Sequence, residues 1–197
     1  MQRKPPHEFL DWASARGIAL DRRYGPPETL IYQPTYCSVA VSLPDAQTMW
    51  WGLMHSLMAL VPGDDDLWLW RRGQDVLPRL RYPDPTFKSG IYAIFEALGV
   101  VGPVGALLFE GPRERETLKV LAMLNATVSG HQHDEWFVVP TSARVILWFD
   151  SDDLVLILTR SVEDRRSVEH HLTQNGILIE RNNPILKPDP GPDSGGI

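Results

Sequence analysis

One short segment of the sequence combines residue types that can bind a metal ion. His131, His133 and Glu135 alternate along the chain, and alternate side chains of an extended segment project to the same side. Imidazole and carboxylate groups bind zinc and other transition metals. The segment follows Ser129 and Gly130 and lacks the H-E-x-x-H helix pattern, so we favour a solvated loop. We therefore predict no bound metal, and a small metal-dependent enzyme using His131 and His133 stays open as an alternative.

The sequence also lacks the short motifs that are typical of nucleotide-binding proteins and esterases. The glycine-bearing stretch 99–105 does not match G-x-G-x-x-G, and Pro103 removes a backbone donor that a phosphate group would need. Neither the P-loop nor the G-x-S-x-G pattern occurs in the sequence. Cys37 is the only cysteine and lies in an apolar run, where a small buried side chain is the usual role. We therefore predict no catalytic residue and no cofactor, which favours a protein that is not an enzyme.

Acidic and aromatic clusters are the best candidates for a binding surface. The predicted partner-binding residues are Asp64, Asp65, Asp66, Trp68, Trp70, Asp150, Asp152 and Asp153. The two tryptophans lie in a predicted strand and share one of its faces, because side chains alternate at period two. Tryptophan is enriched at interaction hot spots, and carboxylates suit a basic partner. Two interpretations of the tryptophans stay open, an aromatic core and an exposed anchor surface.

The aspartates at 150–153 also show a partial calcium-loop pattern. Leu154 occupies a position where an oxygen ligand is needed, and no glycine or distal glutamate follows. We therefore predict that this segment is the tip of a hairpin and that residues 64–66 form a charged turn between a helix and a strand.

Composition and charge exclude several classes of protein. The chain has 197 residues, of which 43% are hydrophobic, and a net charge of −6. A negative chain lacks the many basic contacts that general nucleic-acid binding needs. The apolar runs fall short of the ~20 residues that span a bilayer, and no apolar segment of a secretory signal follows the N-terminus. We expect a cytoplasmic protein that binds neither nucleic acid nor membrane, and its oligomeric state stays open.

Helices and strands intermix along the sequence without a regular βαβ rhythm. Helices are predicted at 6–16, 42–60, 84–98, 114–128 and 161–175, and strands at 36–43, 67–71, 104–109, 136–139, 144–149, 154–159 and 177–179. Two of the helices are predicted to begin at S-x-x-D signals, one at Ser42 and Asp45 and one at Ser161 and Asp164. This pattern predicts an α+β fold with a mainly antiparallel sheet and several packed helices. We predict a single domain over residues 1–183 and an extended or disordered tail at 184–197, which is rich in proline and glycine.

An acidic, motif-poor and tryptophan-rich α+β domain of this kind resembles the bacterial immunity proteins that neutralise toxins delivered between competing cells. The segments that carry the resemblance are LPDAQTMWW at 43–51, DDDLWLWRR at 64–72 and FDSDDLVLILT at 149–159. The resemblance implies a protein-binding inhibitor that covers the active site of a cognate toxin with an acidic, aromatic surface. A non-catalytic assembly subunit is the remaining alternative.

Overall fold

An antiparallel sheet of eight strands organises the chain. The computed structural model describes residues 1–21, 29–33, 36–42, 47–71, 93–94, 97, 106–128, 136–149 and 154–180. The strands are β1 (Gln2–Lys4), β2 (Ile18–Asp21), β3 (Thr29–Tyr32), β4 (Cys37–Ser42), β5 (Leu67–Arg71), β6 (Ala106–Phe109), β7 (Trp136–Pro140), β8 (Val145–Phe149), β9 (Leu154–Thr159) and β10 (Ile179–Glu180). The helices are α1 (Pro6–Ser14), α2 (Gln47–Ala59), α3 (Gly111–Val128) and α4 (Val162–Gln174).

The strand order of the large sheet is β1-β6-β5-β7-β8-β9-β4-β10, and every neighbouring pair is antiparallel. Strands β7, β8 and β9 follow one another both in sequence and in space, whereas β1, β4, β5 and β6 reach their neighbours through longer connections. Strands β2 and β3 form a separate two-stranded hairpin. The predicted α+β class with a mainly antiparallel sheet is therefore confirmed.

Both faces of the large sheet are covered. Helices α2, α3 and α4 pack on one side, called here the helical face, while α1 and the β2–β3 hairpin pack on the other, called the hairpin face. In β8, Leu147 belongs to the helical-face core and its neighbours Ile146 and Trp148 belong to the hairpin-face core. Apolar runs without polar alternation are typical of strands that are buried on both faces. This explains why β7 and β8 are buried at every position.

The predicted start of the last helix is confirmed in detail. Ser161 precedes α4 in an extended conformation, and its Oγ accepts a hydrogen bond of 3.0 Å from the Asp164 amide. This contact satisfies one of the amides that a helix N-terminus leaves without an intrahelical partner. Gly176 ends the helix with a φ of +70°, a conformation that glycine adopts without strain.

The helix start predicted by the same signal at Ser42 is not tested, because residues 43–46 lie outside the described residues. Ser42 is the last residue of β4, where it pairs with Leu154, and its hydroxyl donates to the Glu180 carboxylate. The described part of α2 begins at Gln47. Pairing with β9 and β10 thus keeps Ser42 in a strand.

Some predicted segments fall wholly or largely outside the described residues. The tail at 184–197 is one of them, and of the predicted helix at 84–98 only residues 93–94 and 97 are described, all of them helical. None of the helices in the described part of the chain combines the length and apolar character that crossing a membrane requires.

Candidate functional site

The acidic turn, residues Asp64–Asp66, connects the end of α2 to β5, as the sequence predicts. The Asp65 amide donates to the Pro62 carbonyl at 3.2 Å, which closes the turn. The Asp64 side chain is exposed, while Asp65 and Asp66 are half-buried. The three carboxylates therefore differ in how much of their surface a partner can reach.

Hydrogen bonds attach the acidic turn to two other elements. The Asp65 carboxylate accepts from the Ser142 amide at 3.2 Å in the turn between β7 and β8. The Asp66 carboxylate accepts from the Gly111 amide at 3.3 Å, at the first residue of α3. Negative charge is favoured there because the N-terminus of a helix carries partial positive charge. Asp65 and Asp66 therefore stabilise the fold as well as carrying charge.

Arg115 of α3 also holds the acidic turn, through hydrogen bonds to backbone carbonyls. Its guanidinium donates to the carbonyls of Val61 at 3.1 Å and Asp65 at 3.2 Å, and also to the carbonyl of Pro62. These acceptors are backbone atoms, so Arg115 fixes the path of the turn without an ion pair to a carboxylate of the turn. In the described part of the chain, no lysine or arginine forms an ion pair with Asp64.

Two glutamates extend the acidic surface beyond the turn. The exposed Glu110 accepts from the Gln2 side-chain amide at 2.6 Å, and its own amide donates to the Glu114 carboxylate at 2.6 Å. Glu114 also pairs with the amino group of Met1. We call the group of Asp64, Asp65, Asp66, Glu110 and Glu114 the acidic rim. Sequence reasoning missed both glutamates because only the strand order β1-β6-β5 brings residue 110 beside residue 66.

The tryptophans of β5 share one face, as predicted, and that face is the hairpin face. Trp68 is only 6% exposed, and its ring centroid lies 5.4 Å from that of Phe9 and 5.6 Å from that of Trp12. Trp70 is half-buried and stacks on Phe9 at 5.0 Å. Trp68 is therefore a core residue, and its prediction as an exposed anchor is corrected because α1 covers it. We call Phe9, Trp12, Trp68 and Trp70 the aromatic cluster.

The second predicted acidic group consists of Asp150, Asp152 and Asp153, which lie outside the described residues. The strand end that precedes them, Phe149, pairs with Trp136 at the start of β7. By contrast, Leu67 follows the acidic turn and pairs with Pro140 at the end of β7. The strand ends next to the two acidic groups thus lie at opposite ends of the sheet.

The predicted metal segment with His131 and His133 also lies outside the described residues. Within the ranges that the structure describes, no group of three or more histidine, cysteine, aspartate or glutamate side chains is arranged to hold a metal ion.

Comparison with known proteins adds no family to this description. No protein-family model matches the chain, and no curated protein or solved structure matches it significantly.

Proposed function

We propose that this chain is a protein-binding inhibitor of the immunity type, which covers the basic active site of a cognate toxin with its acidic rim. The observation that carries the proposal is that exposed carboxylates, those of Asp64 and Glu110, stand on a surface that several elements hold in place. The cytoplasmic location expected from the sequence is part of the same proposal.

Rigid attachment of the rim favours binding. The turn between β7 and β8, the N-terminus of α3 and the side chain of Arg115 all contact the acidic turn, and Gln2 of β1 contacts Glu110. A surface that is already ordered loses little conformational entropy when a partner binds, so more of the contact energy remains as affinity.

The charge of the rim determines what kind of partner suits it. Carboxylates outnumber cations there, since Arg115 and the Met1 amino group are the cations in direct contact with it among the described residues. A negative surface attracts a positive one over a distance of about 10 Å at moderate salt. Complementary charge of this kind speeds association more than it slows dissociation.

The experiment compares three immobilised forms of the protein in extracts of the cells that encode it. These forms are the wild type, a rim variant with Asp64→Asn and Glu110→Gln, and a control variant with Glu8→Gln and Glu163→Gln. The control loses the same charge from exposed sites outside the rim. We expect the wild type and the control to retain the same basic protein stoichiometrically.

The retained protein is then purified and its association rate is measured at several salt concentrations. The rim variant should associate about tenfold more slowly at low salt and with a flatter salt dependence. Co-expression of the wild type should suppress the activity of the partner. A partner that binds the rim variant and the wild type at equal rates, or no stoichiometric partner at all, would refute the proposal.

A further inference from the structure

A cleft of about 240 Å³ opens between α2, α4 and the paired ends of β8 and β9. It is smaller than the roughly 300–1,000 Å³ of pockets that hold drug-sized ligands, so it suits a molecule of few heavy atoms. Its apolar lining includes Leu60, Val145 and Val168, of which the two valines are buried. These side chains offer an apolar contact to a short aliphatic group.

Opposite charges line the same cleft. Arg144 contributes an exposed guanidinium and Asp164 a half-buried carboxylate. Within the described residues these two groups form no ion pair with one another or with a third residue. The Asp164 carboxylate accepts one hydrogen bond of 2.9 Å, from Ser161 Oγ, and an ionised carboxylate has room for further donors. Both charges are therefore available to a ligand.

His171 fixes the distance between the two helices that form the cleft. Its Nε2 lies 3.0 Å from the Ser56 carbonyl oxygen, and because a carbonyl only accepts, the imidazole must donate from Nε2. This hydrogen bond joins α4 to α2. The neighbouring His170 is exposed, since adjacent residues of a helix point in different directions.

The position of Arg144 depends on a strained residue. Ala143 has a φ of +53°, a left-handed conformation that is unfavourable for a residue with a Cβ atom. The surrounding hydrogen bonds hold it there, since its amide donates to the Pro140 carbonyl at 2.8 Å and its carbonyl accepts from the Tyr32 hydroxyl at 3.0 Å. Strain that the surroundings maintain is common at ligand sites. Here it places Arg144 at the cleft.

We propose that this cleft binds a small zwitterion, namely a free α-amino acid with a short aliphatic side chain. The ligand carboxylate pairs with Arg144, since guanidinium and carboxylate form paired hydrogen bonds. The ligand ammonium pairs with Asp164, and the side chain packs on Val145 and Val168. This site is separate from the acidic rim and extends beyond the proposed inhibition of a toxin.

Binding is measured by thermal shift and by calorimetry with alanine, valine and leucine, each compared with its N-acetyl and methyl-ester forms. The N-acetyl form lacks the ammonium charge and the ester lacks the carboxylate. We expect at least one free amino acid to bind at millimolar concentration or below, and both of its derivatives to bind at least tenfold more weakly. The rim variant, with Asp64→Asn and Glu110→Gln, should bind the same amino acid as the wild type does, which separates this test from that of the acidic rim.

Variants locate the binding in the cleft. Arg144→Gln and Asp164→Asn should each weaken binding at least tenfold, whereas Arg166→Gln, an exposed position of α4 outside the cleft, should bind as the wild type does. Arg144 is exposed, so its substitution should leave the circular dichroism spectrum unchanged even if Asp164→Asn disturbs α4. Absence of binding by all three free amino acids, or undiminished binding by Arg144→Gln, would overturn the proposal.

Discussion

The acidic turn and the tryptophans of β5 are neighbours in the sequence, yet they have opposite environments. The exposed side chain of Asp64 stands at the end of the sheet, while Trp68, four positions later, is buried under α1 beside Phe9. Period-two alternation correctly places Trp68 and Trp70 on one face, but it does not say whether that face is open. In a sheet covered on both sides, a shared face is a core face, so in the described stretch from Asp64 to Trp70 the acidic turn holds the exposed side chain.

The largest effect on stability is expected from removing the buried Trp68 side chain. Trp68→Ala deletes a buried ring and should lower the free energy of unfolding by ~3–5 kcal/mol. For a chain of this size, that corresponds to a Tm lower by roughly 6–20 °C. Calorimetry measures the loss, and Trp70→Ala is the matched control, with a smaller loss because Trp70 is only half-buried. A folded Trp68→Ala protein of unchanged Tm would mean that Trp68 is not a core residue.

A smaller loss is expected at Tyr32, which supports the turn between β7 and β8 from the hairpin face. Tyr32→Phe removes the hydrogen bond to the Ala143 carbonyl and should cost ~1–2 kcal/mol, because that buried acceptor loses its donor. Chemical denaturation of the two proteins at neutral pH measures the difference.

The same residue should make stability depend on alkaline pH. Burial raises the pKa of Tyr32 well above its ordinary value, with Arg160 opposing and Asp164 adding to the shift. Above pH ~10 a tyrosine of the unfolded chain loses its proton, while folded Tyr32 keeps it, so stability falls as the pH rises. The stability of Tyr32→Phe should fall less steeply above pH ~10. Parallel curves for the two proteins would show that Tyr32 ionises equally in both states.

Asp66 tests whether a residue of the acidic turn supports the fold. Asp66→Ala removes the acceptor for the Gly111 amide and should cost ~1 kcal/mol, whereas Asp66→Asn keeps an oxygen there and should recover most of the loss. Thermal unfolding of the pair distinguishes a hydrogen-bonding role from a purely electrostatic one. Equal Tm values for Asp66→Ala and the wild type would mean that the turn is held without this contact.

The smallest effect on stability is expected at Asp64. Its side chain is exposed, so Asp64→Asn should leave the Tm unchanged while slowing association with a basic partner. The two substitutions should therefore have separate effects, because Trp68→Ala should lower stability and Asp64→Asn should slow binding. A lower Tm for Asp64→Asn would contradict the assignment of this residue to the contact surface.

Local patterns in the sequence predict the central strands well. The runs at 144–149 and 154–159 predict a hairpin; β8 begins one residue later than predicted, and β9 has the predicted bounds. Continuous apolar character specifies these strands whatever their neighbours are. The acidic turn is equally predictable, because Pro62 and Gly63 follow the end of α2 at Ala59 and three charged residues come next.

The features that the sequence does not predict depend on pairing between strands that are distant along the chain. Ser42 and Ser161 stand in the same S-x-x-D pattern, yet Ser161 caps α4 while Ser42 pairs with β9 as the last residue of β4 and contacts Glu180 of β10. Strand β1 carries no apolar alternation and forms by pairing with β6. The acidic rim is likewise only partly predictable from the sequence, because the pairing of β5 with β6 is what brings Glu110 next to the acidic turn.

The pairing of β4 with β9 also has a consequence for synthesis of the chain. Cys37 and Thr159, which face each other across these strands, are 122 residues apart in sequence. At about 5–20 residues per second, a ribosome makes β9 roughly 6–24 s after β4. Throughout that interval the apolar Val39 and Val41 have no β9 to pair with, and an open strand edge can pair with another nascent chain. We therefore expect the yield of folded protein to depend on translation speed between these two strands and on chaperones that shield β4 until β9 emerges.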